Sequence, residues 1–88
     1  MATGKKVKAV KAPSFEVALS VESIGQFIKA RRTQEGLSTQ DAAMLSGVSA
    51  HTLNNVENGI PGMKMQTVLT ICESLGIKLQ IVPWEEKL

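Results

Sequence analysis

The sequence predicts a mostly α-helical fold of four to five short helices that ends in one β-strand. The apolar residues, 43% of the chain, are mostly aliphatic, and only 3% of residues are aromatic, a composition that favours a helical bundle. Four segments show helical apolar spacing, whereas residues 77–82 alternate with period two. The 88 residues suit one domain. We predict a flexible basic N-terminal arm (1–19), a helical domain (20–76) and a C-terminal dimerisation strand and tail (77–88).

The N-terminal segment carries the positive charge of the chain. Residues 1–20 hold four lysines, at positions 5, 6, 8 and 11, against Glu16, a charge of +3; because the whole chain has +2, the rest has −1. Residues 1–13 lack an apolar face, which predicts a disordered basic arm ending at Pro13. Residues 14–20 are ambiguous between a short strand and a turn.

The first helix is predicted to begin after Ser20, with Ser23 as the competing N-cap. Gly36 is expected to end it and to let Leu37 turn back into the core. Its apolar residues recur at i, i+3 and i+4, which places them on one face: Ile24, Phe27 and Ile28.

Two short helices follow. The second is predicted to begin at the cap Ser38 and to end at Gly47. The third runs from Ala50 to Glu57 after the cap Ser49, and residues 58–59 stop it. The second helix is expected to turn inward Ala42, Ala43 and Leu45, and the third to bury Leu53 and Val56.

The fourth helix is predicted from Lys64 or Met65 to Leu75, with Gly76 ending it. Its inward residues are Val68, Ile71, Cys72 and Leu75. Cys72 has no second cysteine to pair with, so a buried inert thiol is expected. The strand over residues 77–82 needs a hydrogen-bonding partner. That partner is either residues 17–21 of the same chain or the same strand of a second copy.

The stretch from Leu37 to Gly59 has the spacing of a helix-turn-helix. A small residue, Ala43, lies four positions before Gly47, which permits the chain reversal between the second and third helices. Val48 fills the corner, and Leu53 locks the third helix onto the second. This combination of small, glycine and apolar positions is what two closely packed short helices need.

These positions resemble the lambda-repressor-like helix-turn-helix family, also called the XRE or Cro/C1 type. The resemblance covers about Ile24 to Gly76, and its matching residues are Leu37, Ser38, Ala43, Gly47, Val48, Ser49, Leu53, Glu57, Asn58 and Gly59. The family usually has glutamine directly after the cap of the second helix, where it holds a phosphate. Here that position is Thr39, with Gln40 one place later, and a threonine hydroxyl reaches less far.

The resemblance implies that the third helix enters the major groove of DNA with its N-terminus first, where its dipole favours a phosphate or base acceptor. The candidate base-reading residues are Ala50, His51, Thr52, Asn54 and Asn55. Asn55 suits bidentate pairing with adenine. The candidate contacts to the DNA backbone are Ser38, Thr39, Gln40, Ser49, Asn58, Gly59, Arg31, Arg32 and Lys64. For Arg31 and Arg32 a solvated helix face is the alternative, and Glu57 is expected to orient its neighbours.

Short family members that end in a strand like residues 77–82 are similar to HipB-type antitoxins. In that group the terminal strands of two subunits pair, and the dimer represses its own operon and binds a HipA-type kinase toxin. The resemblance implies an inverted-repeat operator in double-stranded DNA, a HipA-like kinase partner, and a homodimer through Ile77, Leu79, Ile81 and Val82. Trp84 would either anchor a partner or pack onto its own dimer. The basic arm is either a solubilising tail or a DNA contact.

Two alternatives stay open: a free-standing phage-like or metabolic repressor without a toxin, and a protein-interaction module that has lost DNA binding. The sequence contains no catalytic constellation, so we predict a non-enzyme without cofactor. One His and one Cys cannot build a metal site unaided. No apolar run approaches the roughly 20 residues that span a bilayer, and the N-terminus lacks a signal-peptide core. These features predict a cytoplasmic protein without membrane contact.

Overall fold

A computed structural model describes residues 7–85 and contains four α-helices in that range. They are α1 (Val21–Gln34), α2 (Thr39–Ser46), α3 (Ala50–Glu57) and α4 (Met65–Ser74). The predicted helices are confirmed. Their ends agree with the sequence signals because caps and glycines act within one turn of the chain.

Serine side chains start three of the four helices. The Ser20 hydroxyl accepts a hydrogen bond from the Ser23 N–H at 2.9 Å, and the Ser23 hydroxyl accepts one from the Ser20 N–H at 2.8 Å. The two competing cap candidates are therefore the two halves of one capping box. Ser38 and Ser49 cap α2 and α3, whereas Lys64 precedes α4 without a side-chain cap bond.

The apolar core lies between the inner faces of the four helices. The inward residues predicted for α3 and α4 are buried, as are Ile24 and Ile28 of α1, whereas Phe27 is half-buried. Burial raises the pKa of the Cys72 thiol to about 11, so the side chain stays protonated and behaves as a small apolar core residue.

Helix α2 buries a different face from the one predicted. Ala42, Ala43 and Ser46 are buried, but Leu45, which was expected to point inward, is 58% exposed. The three buried positions cluster on one side of the helix, and Leu45 lies roughly 100° away from the middle of that side at 100° per residue. The prediction for Leu45 is wrong because spacing alone did not fix which small residues face α3.

The segment before α1 contacts that helix. The Val10 N–H donates to Thr33 Oγ1 at 2.9 Å, and Gln34 Nε2 donates to the Val10 carbonyl oxygen at 2.9 Å. Phe15 stacks on Phe27 with ring centroids 5.5 Å apart. Residues 10–15, which we call the strap, therefore run along α1 in the opposite direction. Residues 15–17 form a turn, and residues 1–6 of the predicted arm, with their two lysines, lie outside the described residues.

The chain after α4 forms no strand within the described range. Residues 77–85 belong to no helix or strand. The predicted pairing with residues 17–21 is not formed, and the last of these residues, Val21, begins α1. Ile81, Val82 and Trp84 are each at least 77% exposed. Strand pairing with a second copy stays a prediction. None of the helices described between residues 7 and 85 is long and apolar enough to cross a membrane.

Candidate nucleic-acid interface

The turn between α2 and α3 holds the two helices at a fixed angle. Gly47 ends α2 with φ of 73°, and open space surrounds the position that a Cβ would take, so glycine is needed here for its backbone conformation. The Val48 N–H then donates to the Ala43 carbonyl oxygen at 3.0 Å. Ala43 and Leu53 are buried, as the motif predicts. The helix-turn-helix geometry is therefore present.

The N-terminus of α3 is organised by its cap. Ser49 Oγ accepts from the Thr52 N–H at 3.0 Å and donates to Thr52 Oγ1 at 2.9 Å. This satisfies one of the N–H groups that a helix start leaves without an intrahelical partner, and the N–H groups of Ala50 and His51 remain at the exposed end. The positive end of the helix dipole therefore faces outward and favours an anionic or acceptor group.

The outer face of α3 carries four of the five predicted base-reading side chains. His51 and Asn54 are exposed, and Thr52 and Asn55 are half-buried. Ala50 packs partly against the core, so its methyl group is less available than predicted.

His51 and Asn55 form a pair one helical turn apart, with Asn55 Nδ2 lying 3.3 Å from His51 Nε2. An asparagine amide has two N–H donors and one acceptor oxygen. If one N–H of Asn55 goes to His51, the other N–H and Oδ1 remain for the N7 and N6 groups of an adenine. With an unprotonated His51 Nε2 as the acceptor, this contact orients the Asn55 amide without using up its base-pairing edge.

Several candidate backbone contacts flank α3 on the exposed surface. Gln40 lies in the first turn of α2, Asn58 follows the end of α3, and Lys64 precedes α4. Ser38 Oγ is used as the α2 cap and accepts from the Asp41 N–H at 3.0 Å. Thr39 is half-buried, in line with the shorter reach expected from threonine at this position.

Arg32 is wrongly assigned to the DNA backbone. It is 7% exposed, and its Nε and Nη2 donate to the two carboxylate oxygens of Glu57 at 2.6 and 3.0 Å. Its Nη1 donates to the Leu37 carbonyl oxygen at 2.8 Å. These three hydrogen bonds of the guanidinium join α1 to the α1–α2 turn and to the end of α3. Glu57 orients a neighbour, as expected.

Gly59 and Arg31 also have structural roles in the folded chain. Gly59 is buried, its N–H donates to the Val56 carbonyl oxygen, and a Cβ there would lie 3.1 Å from the Glu22 Cα. Its backbone N–H is therefore already bonded within the chain. Arg31 Nε donates to the Leu75 carbonyl oxygen at 2.8 Å, which ties α1 to the end of α4. Its Nη1 lies 3.1 Å from a carboxylate oxygen of Glu35, so any contact with DNA would compete with two existing bonds.

Sequence reasoning missed Gly25. A Cβ on this residue would lie closer to the Val56 carbonyl oxygen than van der Waals contact allows. It would also lie 2.7 Å from the Glu57 carbonyl oxygen. Helix α1 therefore packs backbone against backbone on the end of α3. An isolated glycine within a helical pattern is a signal of such close packing, and that signal was available in the sequence.

The fold and the α2–turn–α3 surface define a DNA-binding regulator of the helix-turn-helix class. The model of the helix-turn-helix domain family matches residues 23–80, and the chain belongs to this family. The matched range contains all four helices except the first two residues of α1. This confirms the resemblance found in the sequence.

Solved structures extend the comparison. A complex of a HipB variant with an O2 20mer has a TM-score of 0.71 at 24% identity, covering 82% of this chain and 100% of that chain. A chain of a HipA–HipB–O2–O3 complex has the same TM-score at 22% identity, covering 81% and 100%. The restriction-modification controller protein C.AhdI from Aeromonas hydrophila has a TM-score of 0.59 at 29% identity, covering 66% and 84%. No curated protein matches the sequence. The likeness to HipB is one of fold.

Proposed function

We propose that this protein is a sequence-specific transcriptional repressor that binds an inverted-repeat operator as a homodimer and acts as the antitoxin of a HipBA-type module. The observation that carries the DNA-binding part is the exposed face of α3, where His51, Asn54 and Asn55 lie beside a capped and outward-directed helix N-terminus. Polar side chains with both donors and acceptors suit the edges of base pairs, and the helix-turn-helix class presents them on this helix.

Binding of the full chain to its own upstream DNA tests this proposal. Fluorescence anisotropy at two salt concentrations should give tighter binding to an inverted repeat than to a random duplex, and weaker binding at higher salt because phosphate contacts release counterions. Equal affinity for both duplexes would favour the protein-interaction module instead. No binding to either duplex would reject DNA recognition altogether.

Replacing Asn55 by alanine should cost about 1–3 kcal/mol of operator binding and relax the preference at one base pair, since the bidentate amide is lost. The measurement is affinity for a set of operators with single base-pair changes. Gln66→Ala is the matched control, because it removes an exposed amide from α4. Asn55→Ala with an unchanged base preference would remove Asn55 from the reading set.

The dimer part of the proposal is supported by the exposed apolar residues after α4. Apolar surface is exposed to water at Ile81, Val82 and Trp84, and pairing with a second copy would cover it. In such a paired strand, alternate residues face opposite sides. The same exposed segment, and the presence of HipB beside HipA in a similar structure, support the toxin-binding part. Co-purification with a kinase-like protein encoded next to this chain would test it.

We predict that Ile81→Lys converts the dimer to a monomer at micromolar concentration, because a charge would replace a buried apolar contact. Gln80→Lys is the control, since this neighbour would lie on the opposite side of the strand. Sedimentation velocity distinguishes the two states. A wild-type chain that is already monomeric at this concentration would reject the strand-paired dimer.

A further inference from the structure

A basic cleft lies beside the end of α3, outside the helix-turn-helix. It is an open cleft of about 500 Å³ between the strap and α1. Lys11 lines it from the strap, Lys29 from α1, and Asn58 from the end of α3. The cleft is therefore continuous with one of the candidate contacts to the DNA backbone.

The charge of the cleft is positive. Glu57 also lines it, but both carboxylate oxygens of Glu57 bond to Arg32, so that pair is neutral as a unit. Glu22 packs beside Gly59, but it lies two helical turns before Lys29, roughly 10 Å along α1 at 1.5 Å per residue. The two lysines are both exposed and free to meet an anion.

The strap holds its lysine in place. The two hydrogen bonds of Val10, to Thr33 and from Gln34, fix the chain one residue before Lys11. Thr33 is 5% exposed, so this anchor is part of the folded domain. A lysine on an anchored segment loses less conformational freedom on binding than one on a free tail.

The position of the cleft suits a phosphate group. Helix α3 has 8 residues and is therefore about 12 Å long, which exceeds the roughly 8.5 Å depth of the major groove. When its N-terminus enters the groove, its C-terminal end at Asn58 stays near the level of the sugar–phosphate backbone. Lys11 and Lys29 extend that contact along the sugar–phosphate backbone.

From this geometry we infer that the strap and α1 form a second phosphate-binding site, in which Lys11 and Lys29 contact the DNA backbone next to Asn58. The inference rests on the DNA-binding function proposed above and adds residues outside the α2–turn–α3 motif. The contact is independent of base sequence because lysine meets a phosphate as a point charge.

The test measures the salt dependence of binding of the full chain to its upstream DNA. Lys11→Ala and Lys29→Ala should each lower the slope of log K against log salt by about 0.9, the value for one phosphate contact. If the plots of log K against log salt for a variant and for the wild type meet near 1 M salt, the variant binds about eightfold more weakly than the wild type at 0.1 M. The loss should be equal on operator and random duplex.

Lys78→Ala is the matched control, because Lys78 is exposed, does not line the cleft, and would lie on the opposite side of the proposed strand from Ile77 and Leu79. Lys29→Arg should restore the slope, since the charge returns. Slopes of both alanine variants equal to that of Lys78→Ala, with wild-type binding intact, would overturn the second site and leave the proposed function standing. A wild-type chain without salt-dependent binding would overturn both.

Discussion

Replacing Gly25 with alanine is expected to destabilise the fold by about 3 kcal/mol, the upper part of the range for an overpacked core. The added methyl group would overlap the carbonyl oxygens of Val56 and Glu57, and both are backbone atoms that cannot rotate away. To accept it, α1 and the end of α3 must separate. A chain of this size has a total stability on the order of 4–13 kcal/mol, so the loss is a large part of it.

The sign of this effect distinguishes it from helix propensity. In an isolated helix, glycine to alanine would stabilise by roughly 1 kcal/mol, so a destabilisation requires the α1–α3 contact. Urea unfolding followed by circular dichroism measures the change. Gln26→Ala is the control, because this neighbour is exposed and should change stability by about 0.5 kcal/mol or less. A more stable Gly25→Ala chain would show that α1 does not approach α3 this closely.

Breaking the Arg32–Glu57 pair is the second large effect. Both side chains are at least nine-tenths buried, and the guanidinium makes three hydrogen bonds. Arg32→Met leaves the Glu57 carboxylate buried without its cation, and Glu57→Leu leaves the guanidinium without its anion. Each single change should cost about 3–5 kcal/mol, because a buried charge without a partner is strongly unfavourable.

The double variant, Arg32→Met with Glu57→Leu, should be more stable than either single variant, since it leaves neither charge unpaired. Chemical unfolding of the four proteins completes the cycle. Lys29→Met is a matched control for the loss of a cation, because Lys29 is exposed on the same helix. Additive losses in the double variant would mean that the two groups do not interact in solution.

Glu57 also connects stability to the proposed interface. Glu57 is the last residue of α3 and directly precedes Asn58, so its ion pair with Arg32 holds this end of the helix. Gly25 sets the distance between α1 and the same end of α3. Variants at either position should therefore weaken DNA binding in proportion to their loss of folded protein. They would not change base preference, because no residue of the reading face is altered.

The helix ends could be predicted because their causes are local. Ser38 and Ser49 act on N–H groups three residues away, and Gly36 and Gly47 adopt positive φ where the chain reverses. The helix-turn-helix motif is local in the same sense. Its small, glycine and apolar positions all lie within residues 37–59, so the family could be identified from the sequence.

The roles of the charged and small residues required the tertiary structure. Arg32 and Glu57 are 25 residues apart, and no local pattern says that one arginine of the Arg31–Arg32 pair is buried while its neighbour stays half-exposed. Leu45 is exposed because α2 buries the side that carries Ala42, Ala43 and Ser46.

The sequence by itself therefore determined the ends of the helices, the turn between α2 and α3, and the class of partner that α3 suits, but left the number of helices at four or five. The tertiary structure decided which arginine holds the fold together, that Gly25 lets two backbones meet, and that the strap lies along α1. The physical reason is the range of the interactions. Caps and turns are satisfied within a few residues, whereas ion pairs and close packing depend on where distant segments meet in space.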